Sequence, residues 1–110
     1  MRIAVPIAEG RLCMHFGHCE QFLLVDVEDN QIKKKSYVVP PPHAPGVIPK
    51  FLGEQKVDCI IAGGMGRKAQ DLFDEQDIQV VVGATGEDPI KLVQSYLDGT
   101  LETGSNLCDH

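Results

Sequence analysis

The segments of this chain change character once, and that change limits how it can fold. Three strand-like runs come first: Arg2 to Ile7, Gln21 to Val27 and Ile32 to Val39. Asp29 and Asn30 tolerate turn geometry, which predicts a hairpin between the second and third. Pro40-Pro41-Pro42-His43-Ala44-Pro45-Gly46 then excludes helix and central strand and reads as a stiff surface loop. Beyond it, helices alternate with strands. Val47, Ile48, Phe51 and Leu52 recur at helical spacing, with Pro49 tolerable in the first turn. Val57 to Ala62 is a fourth strand, and Gly63-Gly64-Met65-Gly66 leads into a helix with the stripe Ala69, Leu72 and Phe73. Gln79 to Val82 is a fifth, followed by Gly83-Ala84-Thr85-Gly86 and a third helix. Asp88 is its expected N-cap and Pro89 its first residue; Ile90, Val93 and Leu97 share a face, and Gly99 ends it.

The order βββαβαβα restricts assembly. Helical crossovers join parallel strands and a tight turn joins antiparallel ones, so the second strand should run against an otherwise parallel sheet with helices on both faces. Near-continuous apolar strands need both faces covered. The expected core includes Ile3, Val5, Leu24, Val25, Ile60, Ile61, Leu72, Phe73, Val81, Val93 and Leu97.

A chain of 110 residues, 43% hydrophobic and 24% charged, fits one domain spanning residues 1–110, with 100–110 a polar tail. The net charge of −6 argues against wrapping nucleic acid or sitting on an anionic membrane, both of which need concentrated Lys and Arg. Lys33-Lys34-Lys35, the only basic run, reads as an exposed sheet edge guarded against unwanted pairing. No segment approaches a membrane span, and Met1 to Ile7 is too short for a secretory signal. The expected compartment is the cytoplasm, where the cysteines stay reduced or bind metal.

In this topology the carboxyl ends of the first, fourth and fifth strands share an edge, where open α/β sheets bind ligands. Cys13-Met14-His15-Phe16-Gly17-His18-Cys19 and both glycine loops should converge there. Thiolate and imidazole are ligands that zinc, copper and iron–sulfur centres prefer, so Cys13, His15, His18 and Cys19, with Cys108 and His110 from the tail, form the candidate metal set. The five residues between Cys13 and Cys19 are not zinc-knuckle spacing, and a four-ligand site needs the tail to fold back. The expected setting is a mobile surface loop within reach of Met65. A plain structural loop, with Phe16 packed inward and Gly17 in a tight turn, accounts for the same residues. Cys59, within an apolar strand, reads as a buried small hydrophobe, and His43, among prolines, as exposed.

Gly64-Met65-Gly66-Arg67-Lys68-Ala69 matches G-x-G-x-x-A between a strand and a helix, but it follows the fourth strand and no acidic residue ends the next one. A dinucleotide is therefore the lesser reading. Gly64, Met65, Gly66 and Arg67, with Ala84, Thr85 and Gly86, instead present backbone N–H groups and helix N-termini to one pocket suited to an anion. The alternative is that the glycines serve only tight strand–helix turns.

Ile3-Ala4-Val5-Pro6, His15-Phe16-Gly17-His18-Cys19, Ile61-Ala62-Gly63-Gly64-Met65-Gly66 and Gly83-Ala84-Thr85-Gly86 resemble, in order and spacing, the dinitrogenase iron–molybdenum cofactor biosynthesis family, which includes nitrogenase accessory proteins and the molybdenum–copper orange protein. The resemblance covers nearly the whole chain. It implies a three-layer α/β/α ribonuclease-H-like sandwich with a five-stranded mixed sheet, order 3-2-1-4-5 and strand 2 antiparallel. It also implies binding of iron–sulfur or molybdenum-containing cluster precursors, and a cofactor-assembly or recipient metalloprotein as partner. His15 is the histidine of the family's His-Phe-Gly motif.

Catalysis finds little support. Ribonuclease-H-type nucleases hold metal ions with clustered carboxylates, one in the first strand, and Arg2 to Ile7 has none. Two readings of different class remain: non-enzymatic binding, carriage or storage of a metal–sulfur cluster or its anionic precursor, and a cofactor-free interaction or regulatory module. The sequence leaves the metal and the oligomeric state open.

Overall fold

The computed structural model describes residues 1–13, 19–42, 46–84 and 88–101. Its elements are β1 (Arg2–Ala8), β2 (Arg11–Leu12), β3 (Gln21–Glu28), β4 (Gln31–Val38), α1 (Val47–Glu54), β5 (Cys59–Ile61), α2 (Arg67–Glu75), β6 (Gln79–Val81) and α3 (Pro89–Asp98). The main sheet runs β4-β3-β1-β5-β6. β3 is antiparallel to both neighbours, whereas β1, β5 and β6 are mutually parallel. This is the expected order, with the expected antiparallel strand.

The sheet departs from expectation by one element. β2 is a sixth strand, folded back antiparallel on β1 through Ile7–Leu12 and Ala8–Arg11 pairs. Glu9 and Gly10 have φ of 54° and 78°, and two left-handed residues in a two-residue loop match strand twist. Asp29 and Asn30, at 53° and 61°, turn the β3–β4 hairpin in the same way.

Strand alternation sorts the core onto two faces. Ile3, Val5 and Ile7 of β1 join Leu23, Val25, Cys59 and Ile61 under Leu92 and Val93 of α3. Ala4, Phe22, Leu24 and Ile60 face the other way, against Ile48 and Leu52 of α1 and Phe73 of α2. Asp88 caps α3 by accepting the Ile90 and Lys91 N–H groups at 3.0 and 3.4 Å, and Gly99 closes it with φ 75°. Of the expected core, Leu72, Val81 and Leu97 are only half-buried. Leu72 lies on α2 beside the fully buried Phe73, Val81 packs against the α3-side cluster from the short edge strand β6, and Leu97 packs against that same cluster from the last turn of α3. Phe73 alone is fully buried on α2; such burial contributes about 1.5–3 kcal/mol.

At the amino edge one arginine ties three segments together. Arg2 Nε donates to Asp26 Oδ1 at 2.6 Å, Nη1 donates to the Gln55 carbonyl at 2.6 Å, and the Arg2 backbone N–H donates to Asp58 Oδ2 at 2.8 Å. The Arg2 hydrogen bond holds the Asp26 carboxyl below the usual carboxylate range. The clasp is therefore complete above about pH 4, where an unfolded aspartate ionises, and is lost as pH falls through the lower folded value. Both side chains are about a third exposed, and solvent screening holds the pair to less than about 1 kcal/mol. In urea denaturation, Asp26→Asn is expected to lower stability by up to that amount at neutral pH, with the difference closing in acid. A gap that widens in acid would contradict this assignment.

Candidate functional site

β1 ends between two segments that return to it. The Cys13 N–H donates to the Pro6 carbonyl and the Glu20 N–H to the Ile7 carbonyl, each at 2.9 Å. β5 pairs with β1 only at Ile3 and Ala4, so beyond it the flank opposite β3 is open to β2. The stretch from Cys13 to Cys19 thus begins and ends against the carboxyl end of β1. The glycine loops meet at the same edge: Gly83 N–H donates to the Gly63 carbonyl at 3.0 Å, and Ala84 N–H to the Ala62 carbonyl at 3.1 Å. Met65 is fully buried in the core cluster on the α1 and α2 face, and Cys19 packs against that cluster. Gln70 Nε2 donates to the Met65 carbonyl at 2.9 Å and fixes the loop to its own helix.

The sequence predicts a mobile surface loop for Cys13 and Cys19, but the two thiols are drawn in toward the core. Cys13 is 7% exposed and Cys19 half-buried, because the Glu9-Gly10 hairpin returns the first to the sheet while the core beneath Phe22 receives the second. None of the three described cysteines is in a disulfide. Burial pushes the Cys19 thiol up to about 11; nearby Cys13 adds to the rise and a backbone hydrogen bond partly opposes it. Cys59 is fully buried in β5, as expected, but it also has a polar neighbour: the Tyr96 hydroxyl hydrogen-bonds it and partly offsets the upward push of burial on its thiol.

His15, His18, Thr85, Gly86, Cys108 and His110 lie outside the described residues, as do the expected positions of Phe16, Gly17 and His43. Among the described residues, no three His, Cys, Asp or Glu side chains group closely enough to hold a metal ion. The structure therefore brings two of the six candidate ligands to the carboxyl edge, with Gly64, Met65, Gly66, Arg67 and Ala84.

Gly66 discriminates between the two readings of the glycines. It precedes α2 with φ −65° and ψ 156°, a conformation any residue adopts, and a Cβ there would meet nothing within 4 Å. Neither turn geometry nor packing demands glycine at this position. No side chain caps α2, its first turn holds no acidic residue, and Arg67 and Lys68 project into solvent. The result is an open, positively polarised helix start beside the thiol-bearing segment. At the opposite edge a depression lined by Arg2, Asp26, Glu28, Lys33, Lys56 and Asp58 carries both signs of charge, and its Arg2, Asp26 and Asp58 are engaged in the clasp.

Sequence reasoning missed the Glu9-Gly10 turn, which sets the position of Cys13, although a flexible dipeptide before Arg11-Leu12 is itself a hairpin signal. Gln70 was legible only as a polar residue beside Ala69, and its bond to Met65 needed the fold.

An open mixed sheet with a thiol-bearing return and two glycine loops at one edge defines a class of small α/β proteins. Residues 1–99 match the family described as dinitrogenase iron-molybdenum cofactor, and the chain belongs to it. It is 34% identical over 109 residues to the uncharacterized protein MJ0580 of Methanocaldococcus jannaschii, covering 93% of this chain and 90% of that protein. The crystal structure of PH0822 superposes with a TM-score of 0.87 at 27% identity, covering 94% of each chain. The apo form of the orange protein from Desulfovibrio gigas superposes with a TM-score of 0.76 at 24% identity, covering 96% of this chain and 93% of that one, a likeness of fold.

Since only a thiolate attacks an alkylating reagent, Cys19 should react slowly with iodoacetamide at pH 8 and accelerate up to a midpoint near 11. Mass-resolved alkylation of the folded chain checks this. A midpoint at the ordinary thiol value, about 8.5, would contradict the buried environment described for Cys19.

Proposed function

We propose that this protein binds and carries an anionic metal–sulfur species, an iron–sulfur or molybdenum-containing cluster or its precursor, without catalysing a reaction on it. The observation that carries this reading is Gly66, a glycine that the fold does not require, at an uncapped helix start facing the edge where Cys13 and Cys19 return to the sheet. Backbone N–H groups of α2 and the nearby Arg67 suit the anion, and the two thiols suit its metal. Membership of the dinitrogenase iron-molybdenum cofactor family supports the same cargo.

Burial keeps the Cys19 thiol protonated at neutral pH, so loading displaces a proton and tightens as pH rises. His15, His18, Cys108 and His110 are proposed to complete the ligand set, and Thr85 and Gly86 to extend the anion pocket. The working compartment is proposed to be the cytoplasm, and the partner a cofactor-assembly or recipient metalloprotein. Consistent with this, no helix among the described residues is long and apolar enough to cross a membrane.

Anaerobic reconstitution with iron and sulfide, and separately with tetrathiomolybdate and copper, tests the proposal. Cys13→Ser and Cys19→Ser are expected to lose metal uptake, with Cys108→Ser testing the tail. Cys59→Ser should keep uptake and cost on the order of 1 kcal/mol, since its hydroxyl retains Tyr96 as a partner. Gly66→Ser should leave the fold intact or slightly more stable, by a few tenths of a kcal/mol from capping α2, yet weaken uptake by filling the open position. Equal uptake by wild type and every one of these variants would refute the site.

A further inference from the structure

Outside the candidate site, the most unusual surface is β4. It is one of the two edge strands of the main sheet among the described residues, opposite β6, and its two halves are built differently. The first half carries the devices that deter strand pairing: Lys33, Lys34 and Lys35 are all exposed, and the register slips at Lys33, where Asp26 pairs with Lys34 but Val27 pairs with Ile32. From Lys34 to Val38 the ladder is regular, and after Lys35 no charge or proline interrupts it before Pro40. Tyr37 and Val39 stand here 60% and 75% exposed, two of three large apolar side chains so exposed among the described residues. Lys35 and Tyr37 pair with Val25 and Leu23, which places them on the α3 face, beyond the cover of that helix.

We infer that the outer edge of β4 from Lys34 onward, together with Val39 just beyond its end, is a docking strand for an extended, acidic segment of a partner protein. Main-chain pairing would supply affinity, carboxylates would meet the lysines, and short apolar side chains would lie against Tyr37 and Val39. Charge selects this occupant: the chain is −6 overall yet places three consecutive lysines on this strand. A second copy pairing through the lysine half would set like charges opposite one another. The location also gives docking a consequence. β4 is parallel to β1, so Val38 lies at the carboxyl edge, where it packs against the same core cluster as Cys19. A partner seated on this strand is held beside the thiol-bearing segment. The inference does not depend on which cargo, if any, is bound there.

Short acetylated peptides of alternating Val and Thr, with glutamates at one end or the other, are the probes, titrated into the full ¹⁵N-labelled chain. At least one orientation is expected to give saturable amide shifts centred on Lys34 to Val39. Lys35→Glu combined with Val39→Lys, both at exposed positions, should weaken that binding about tenfold with the circular dichroism spectrum unchanged. No saturable shift, or equal binding of peptides carrying lysines in place of the glutamates, would overturn the inference. So would a concentration-dependent dimer abolished by Val39→Lys, which would give the edge to a second copy.

Discussion

The carboxyl end of β1 is where the requirements of the fold and those of the candidate site meet. β1 is the central strand, buried from Ile3 to Ile7, with β3 along one flank and β5 along the other. β5 stops pairing at Ala4, so the last residues of β1 have backbone groups to satisfy on one side. β2 and Cys13 satisfy them, and Glu20 continues the ladder on the other side. Both cysteines are thereby drawn into the rim of the core rather than left on a surface loop. Burial consequently keeps the Cys19 thiol protonated in ordinary conditions, and any cargo it binds must be attractive enough to displace a proton.

A second consequence follows from the short strands β5 and β6. Each ends in glycine-rich backbone, and the Gly83 to Gly63 hydrogen bond locks the two ends together. The start of α2, which no side chain caps, follows the first of these ends at the same edge. At the amino edge, by contrast, Arg2, Asp26, Asp58 and the Gln55 carbonyl satisfy one another. The molecule is thus polarised between a closed end and an open one, and the thiols lie at the open end.

The strand order was legible because it follows from connection rules acting on strong local signals: Asp29-Asn30 as a two-residue turn, the proline loop as a break, and Asp88-Pro89 and Gly99 as the limits of α3. The Glu9-Gly10 hairpin is barely legible in the sequence because the strand it opens is only two residues long and has no periodicity. Half-burial of Leu72 depends on how far α2 reaches over the sheet and that of Val81 on its place in the edge strand β6, and a helical stripe or a short apolar run alone does not record either. The sequence places Cys13 on a surface loop, while its burial follows from a backbone hydrogen bond to Pro6, seven positions away. The opening at Gly66 was equally hidden, since a glycine kept for space and one kept for its backbone look alike in sequence.

The central claim is that the thiol-bearing segment and the glycine loops form one site for an anionic metal–sulfur species. It is tested most directly by following backbone amides of the ¹⁵N-labelled chain during anaerobic titration with tetrathiomolybdate and copper. The account predicts that the amides of Cys13, Cys19, Met65, Gly66, Arg67 and Ala84 shift together along a single saturation curve. Separate midpoints for the cysteine and glycine segments, or shifts centred on Arg2, Asp26 and Asp58, would contradict it.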